Sequence, residues 1–223
     1  ARRYAPGSTK VIRAIERGQK WSEPASSLYG GEGSYGNGSS MRTAPVGLFC
    51  QDQLDELKPL AIDCSRITHV HRLGIEGSVL QSYSVALAVN RKSSSELNTS
   101  AFLEDIGQCI DEEEYSEKLE KVRELLDGSP EKEEVISKLG NGFEALHSVS
   151  TALYSFLSES NNFASAITYS VSLGGDADTI GAMTGAIGGA YFGSEAIPSI
   201  WLDSLENKEY IIELADSLLE SIE

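Results

Sequence analysis

The 223-residue sequence predicts an all-α fold in a single domain, residues 1–223, from three observations. Outside residues 22–47, most segments repeat apolar residues at three and four positions, the spacing of a helix with one buried face. Helix start and stop signals punctuate those segments at matching intervals. No run of alternating β-branched residues marks a strand, and the chain has no internal repeat.

The periodicity places a first helix at 8–18 and a second at 51–64, on either side of a stretch rich in glycine and serine that carries no period. A third helix at 69–90 sets Leu73, Val79, Leu80, Tyr83 and Leu87 on one broad face, and helices at 97–109 and 114–127 follow. Between Glu104 and Glu134, 13 acidic residues meet four Lys or Arg. Glu117, Lys118, Glu120, Lys121, Arg123 and Glu124 interleave there at helical spacing, the pattern of a solvated face. Ser129-Pro130-Glu131 opens a helix at 130–138 as N-cap and first-turn proline, and Gly140-Asn141-Gly142 closes it. Helices at 143–158, 162–172, 177–192 and 207–221 complete the set; Phe143, Leu146, Leu153, Tyr154 and Leu157 share one face of the first of these.

Apolar residues make up 40% of the chain and charged ones 23%, the balance of a soluble globular protein. A formal charge of -16 excludes a broad basic footprint, so neither direct nucleic-acid binding nor an anionic membrane surface is expected. Basic residues concentrate only at the start, where Arg2, Arg3, Lys10, Arg13, Arg17 and Lys20 outnumber Glu16. No segment approaches the roughly 20 unbroken apolar residues of a membrane span. The Ala1-Arg2-Arg3-Tyr4 start has no apolar run behind it, so a cytoplasmic, nuclear or mitochondrial location is expected. Cys50, Cys64 and Cys109 are odd in number and widely spaced, which fits reduced, mostly buried thiols rather than a zinc or disulfide motif. The Asn-x-Ser tripeptides at Asn37 and Asn98 are then not expected to carry glycans.

Two glycine-rich stretches invite a chemical reading. The first, Tyr29-Gly30-Gly31-Glu32-Gly33-Ser34-Tyr35-Gly36-Asn37-Gly38, can bring backbone amides close to an anion ahead of a helix, a phosphate cradle. It lacks a Walker Gly-Lys-Ser/Thr ending and a preceding strand. A plain surface loop explains the glycines equally well, although Tyr29 and Tyr35 could stack on a nucleobase beside such a cradle.

In the second stretch, Asp176, Asp178 and Thr179 crowd hard oxygen ligands into four residues where a helix begins. Either the positive end of the helix or a cation would relieve the repulsion of the two carboxylates, and magnesium or manganese suits an all-oxygen set. An ordinary acidic first turn is the alternative. Gly181, Gly185, Gly188 and Gly189 each weaken the following helix by about 1 kcal/mol relative to Ala, which implies close approach of a neighbouring helix and a central position. His69 and His71, two apart, diverge by about 200° on a helix and so do not form a zinc pair.

Gly33-Ser34-Tyr35-Gly36-Asn37-Gly38 with Met41-Arg42, then Thr68-His69, then Leu173-Gly174-Gly175-Asp176-Ala177-Asp178-Thr179-Ile180 and the Gly-Ala-Tyr-Phe-Gly tail resemble the ADP-ribosylhydrolase family, that of the dinitrogenase-reductase-activating glycohydrolase. The Gly-Ser-Tyr-Gly-Asn-Gly loop looks most like the branch that cleaves ADP-ribosylserine and poly(ADP-ribose). The resemblance implies a compact orthogonal helical bundle of the ADP-ribosylglycohydrolase type and a magnesium-dependent hydrolase acting at the ribose C1″. By the same resemblance Asp176, Asp178 and Thr179 would bind a pair of magnesium ions, with manganese as a substitute, and Gly33, Ser34, Tyr35 and Gly36 would cradle the diphosphate. His69 would touch the ligand and Tyr29 would stack on adenine. ADP-ribose or an ADP-ribosylated protein is the implied partner.

The departures from the family pattern are equally specific. Family members begin with a further helical segment of roughly a hundred residues that carries a Thr-Asp-Asp-Thr metal motif and the acid acting on the leaving group. No Thr-Asp-Asp occurs in these 223 residues, position 76 carries Glu, and Ser150 stands where a proline is common. The chain is therefore expected to be the C-terminal two-thirds of such an enzyme, with an uncovered apolar face and its own N-terminal fragment as a partner. The alternative is an inactive relative that binds ADP-ribose or serves structurally.

Overall fold

The computed structural model describes residues 4–91 and 97–222, and among these it is built from α-helices, short 3-10 turns and one isolated antiparallel bridge, Gly36 to Glu144. Arg2 and Arg3 of the basic N-terminal stretch lie outside the described residues. Helix α1 spans Pro6–Glu16 and leads through a 3-10 segment, Pro24–Gly31, to a second 3-10 turn, Ser40–Arg42. Then come α2 (Ala44–Phe49), α3 (Leu54–Arg66), α4 (Arg72–Asn90), α5 (Thr99–Gly107), α6 (Glu113–Leu126) and α7 (Lys132–Leu139). Helices α8 (Ala145–Ser158), α9 (Phe163–Ser172), α10 (Ala177–Phe192), α11 (Ser199–Asp203) and α12 (Lys208–Glu220) follow.

Among the described residues helix α4 buries the most residues, and the glycine-rich α10, expected at a central position, packs on α4, α8 and α9. From Glu76 to Ala88 every residue of α4 is buried, and the helix packs on α2, α3, α8 and α10. A helix buried all round cannot be recognised from one apolar face. The main core fills the space between α4, α5, α6, α8 and α10, around Phe102, Tyr115, Leu153, Phe156 and Ile187. A second cluster of Val46, Leu57, Ala61, Val79 and Tyr83 seals α2 and α3 onto the other side of α4.

The glycines of α10 serve its neighbour α9. A Cβ at Gly181 would lie 3.0 Å from Val171 Cγ2, at Gly185 3.1 Å from Ile167 Cδ1, and at Gly188 3.2 Å from Phe163 Cδ2. Only Gly189 faces open space. The tightest approach of two helices lies elsewhere, where a Cβ on Gly47 of α2 would sit 2.4 Å from the Ser82 carbonyl oxygen of α4 and 2.9 Å from Val85 Cβ. Neither atom is a flexible side-chain end. Gly47→Ala should therefore destabilise the chain by about 2–3 kcal/mol, read as a shift of the urea midpoint; an unchanged midpoint would show that α2 can ride outwards at no cost.

Several element boundaries differ from the sequence reading for local reasons. Helix α4 starts at Arg72 rather than at residue 69 because His71 caps it, its ring accepting from Leu73 N at 3.2 Å. Ser129 and Pro130 do not open α7; its N-cap is Glu131, and Gly140 ends it with φ of 85°. Lys118 is not on a solvated face: its ammonium donates to the Lys138 and Leu139 carbonyls at 2.8 and 2.7 Å, satisfying the end of α7. Burial, with Lys121 second, lowers its pKa to about 8. Glu76 accepts from the Asp111 amide at 2.5 Å and so ties the turn before α6 to α4, while burial pushes its carboxyl up. Of the three free thiols only Cys50 is buried, and Cys64 and Cys109 are half-buried. Helix α12 buries none of its residues and leaves Tyr210, Ile211, Ile212, Leu214 and Leu219 exposed. Among the described residues no helix is long and apolar enough to cross a membrane.

Candidate functional site

The glycine-rich loop lies across the start of α4 and is pinned on both sides. On one side a Cβ at Gly74 would approach the Ser34 carbonyl oxygen to 2.7 Å, so α4 packs directly beneath the loop. On the other, the Ala145 amide donates to Tyr35 O at 3.0 Å and the Asn37 amide to Phe143 O at 2.9 Å, which sews the loop to the start of α8. Gly33 makes the entry turn with φ of 78°, where a Cβ would fall 2.3 Å from Val70 Cγ2. Its amide is spent on Leu28 O at 3.1 Å, and the Gly36 amide on the Ser34 hydroxyl at 3.2 Å. The Ser34 and Tyr35 amides have no partner among the described residues. The four residues singled out by sequence thus divide: Gly33 and Gly36 shape the loop, while Ser34 and Tyr35 offer the open donors an anion needs.

The acidic turn stands against this loop. Gly174 and Gly175, at φ of 71° and 65°, swing the chain into α10 with Asp176 at its N-cap. Asp176 N donates to Asn141 O at 2.8 Å, and Asn37 Nδ2 donates to Asp176 Oδ2 at 2.6 Å and to Ser148 Oγ at 3.1 Å. Asn37, a buried side chain between two glycines, is therefore the link between the loop and the acidic turn, which excludes it as a glycan acceptor. Asp178 Oδ1 accepts from Thr179 N at 2.9 Å. Asp176 Oδ1, Asp178 Oδ2 and the Thr179 hydroxyl are left without partners, three hard oxygens in one helical turn. That donor set fits one side of the shell of an oxygen-seeking divalent cation, which keeps several waters when few protein ligands are offered. Among the described residues no group of three or more His, Cys, Asp or Glu could hold a metal.

His69 closes the back of the loop. It is 4% exposed, and a Cβ on Gly38 would lie 3.0 Å from its Cε1 and 3.2 Å from its Nε2. Its Nδ1 lies 2.7 Å from Thr68 Oγ1, which accepts from Arg42 Nη2 at 2.7 Å. Burial, with the Arg42 cation second, lowers its pKa to about 4, so the ring is neutral at pH 7.

The aromatic groups near the loop fall into two places. Tyr35, 45% exposed, stacks on Phe143 with ring centroids 6.2 Å apart and meets His71 edge-on at 5.6 Å. Phe143, placed by periodicity on a buried helix face, precedes α8 and is 58% exposed. Tyr29 adopts φ of 52° and sends its hydroxyl over Gly7 of α1, and among the described residues its ring makes no ring contact with Tyr35. The stacked aromatic pair beside the glycine loop is Tyr35 with Phe143. A signal for Phe143 was available in the Gly-Asn-Gly-Phe order, which puts the ring on a loop rather than inside a helix.

Comparison with known proteins bears on the fold and the family. The ADP-ribosylglycohydrolase family profile matches residues 1–223. ADP-ribosylhydrolase ARH3 of Bos taurus is 40% identical over 221 residues, covering 88% of this chain and 60% of the relative. ARH3 of Homo sapiens is likewise 40% identical, with 88% and 61% covered. A protein of Archaeoglobus fulgidus is 33% identical over 222 residues, covering 99% of this chain and 68% of its own. A solved structure described as an ADP-ribosylglycohydrolase-related protein complex superposes with a TM-score of 0.75 at 26% identity, over 98% of this chain and 70% of the other. The chain thus spans about 60% of the length of the ARH3 proteins it matches. With the same helical fold, the same family profile over its whole length and relatives at 40% identity, this chain belongs to the ADP-ribosylglycohydrolase family.

Proposed function

We propose that this chain carries the ADP-ribose cradle and one side of the metal site of a hydrolase that removes ADP-ribose from modified proteins. The observation that carries the reading is the Asn37–Asp176 hydrogen bond of 2.6 Å, which sets open backbone donors and unpartnered hard oxygens side by side from segments 139 residues apart. In this reading the Ser34 and Tyr35 amides bind the diphosphate, and the Tyr35–Phe143 platform takes the adenine face. His69 donates Nε2–H to a ligand oxygen. Asp176, Asp178 and Thr179 hold magnesium, with manganese as a substitute. A pair of such ions would supply a polarised water and a hold on the ribose hydroxyls at C1″ as the linkage breaks through an oxocarbenium-like state. Serine-linked ADP-ribose or its polymer is the proposed substrate, on the Ser34-Tyr35 loop alone.

The test is release of ADP-ribose from an ADP-ribosylserine peptide by the full chain, with magnesium and then with chelator. Chelator-sensitive turnover is the expected result, and faster cleavage of ADP-ribosylarginine would overturn the choice of substrate. One observation favours a second reading, a non-catalytic ADP-ribose binder: the open oxygens all come from a single helical turn. That reading expects ADP-ribose to raise the melting temperature with no turnover in either condition.

A further inference from the structure

The hydrogen bonds behind the glycine loop define which proton His69 carries. A guanidinium only donates, so the 2.7 Å contact from Arg42 Nη2 uses one lone pair of Thr68 Oγ1. The hydroxyl proton must then find its own acceptor, and Thr68 is buried. The one acceptor within reach is His69 Nδ1 at 2.7 Å; no other partner of this hydroxyl exists among the described residues. Thr68 therefore donates to Nδ1, and in the neutral ring the proton sits on Nε2. The opposite tautomer would leave the Thr68 hydroxyl proton buried and unpaired.

Nε2 faces a window made by missing side chains. It has no hydrogen-bond partner among the described residues, although the histidine is buried. Cβ atoms at Gly36 and Gly38 would stand 3.8 and 3.2 Å from it, so the two glycines leave open the space into which it points. Arg42 is itself fixed, donating to Gly38 O at 3.0 Å and to Cys64 O at 2.9 Å, so loop, threonine and histidine are set by one guanidinium.

We propose that Arg42 and Thr68 are positioning residues that hold His69 as a neutral Nε2–H donor, so that the ligand of the glycine loop must present an acceptor oxygen to it. This rests on the reading of that loop as the ADP-ribose cradle. His69 then acts neither as a base towards a ligand hydroxyl nor as a metal ligand through Nε2, because that nitrogen's lone pair is occupied by its proton.

Nitrogen NMR of the histidine-labelled full chain tests the relay without any ligand, with His69 assigned through the loss of its signals in His69→Gln; the chain has two other histidines. The expected spectrum has a bare Nδ1 and a protonated Nε2 in the parent and in Thr68→Ser, and a mixed tautomer in Thr68→Val. Calorimetry with ADP-ribose should show about tenfold weaker binding for Thr68→Val, the worth of one misdirected hydrogen bond, and recovery in Thr68→Ser. A protonated Nδ1 in the parent overturns the proposal, and so does a Thr68→Val chain that keeps both tautomer and affinity. Loss of ADP-ribose binding by the parent itself, with the Nε2–H tautomer seen, instead overturns the reading of the loop as a cradle. A purely structural role for Thr68 would change the melting temperature and leave the tautomer alone.

Discussion

Gly175→Ala should be among the most damaging single-methyl changes in this chain, lowering its stability by about 3 kcal/mol and, on the proposed reading of the site, removing ADP-ribose binding with it. Gly175 sits at φ of 65°, where an alanine is strained by about 1 kcal/mol. A Cβ there would also fall 2.0 Å from Asn141 O, 2.6 Å from Asn141 Cγ and 2.9 Å from its carbonyl carbon. Backbone cannot swing aside as a side-chain tip can, and Asn141 is held, its Nδ2 donating to Leu173 O at 2.8 Å. The displaced carbonyl is the one that accepts from Asp176 N, so the substitution costs that hydrogen bond, about 1–3 kcal/mol, and moves Asp176 away from Asn37. Gly174→Ala is the matched control, because Gly174 has φ of 71° and nothing within 4 Å of its Cβ position. Urea unfolding of the two variants separates conformational strain from collision. Equal midpoints would mean that the Asn141 contact holds nothing in place.

Most helices were legible because their apolar residues keep a helical period, and α6, α9 and α10 fall close to where that period puts them. The short α2 was not legible. Six residues hold too little of a period, although Pro45 directly after Ala44 is a helix-start signal that could have marked it. The 3-10 segment at Pro24–Gly31 has no period at all, because Leu28, Tyr29 and Gly30 leave helical angles within it. Lys118 was misread because charge alternation reports the average face of a helix and not the one ammonium that reaches two carbonyls on α7.

In the site, motif order picks out Ser34, Tyr35, His69 and Asp176, and the fold brings all four to the glycine loop and the acidic turn beside it. The residues that join them were silent. Asn37 reaches Asp176 and Ser148, Asn141 reaches Asp176 and Leu173, and Thr68 is held by Arg42, hydrogen bonds between separate segments that no local spacing encodes. Tyr29, to which the family resemblance gives the adenine, has a left-handed backbone that sets its hydroxyl over Gly7 of α1, a placement no local spacing encodes.

Acid should destabilise the chain through His69 in a defined window. The folded pKa of about 4 lies below the ordinary 6.5, so between those values the unfolded chain binds a proton that the folded chain refuses. Stability contributed by keeping this ring neutral is fully present above pH 6.5 and is lost as pH falls towards 4. Over about 2.5 pH units at 1.36 kcal/mol each, the loss is roughly 3 kcal/mol, a figure warranted here because the ring is almost wholly buried. The half-buried Glu114, drawn down to about 2 by its hydrogen bonds with Arg72, acts in a different range, below its ordinary 4.5. The measurement is urea unfolding at intervals from pH 7 to 4 on the parent and on His69→Gln, whose amide keeps a donor but does not titrate. The parent should lose stability more steeply by close to one proton across the window, whatever the offset between the two at pH 7. Parallel curves would show that His69 titrates normally in the fold, and the neutral ring behind the glycine loop would have to be given up.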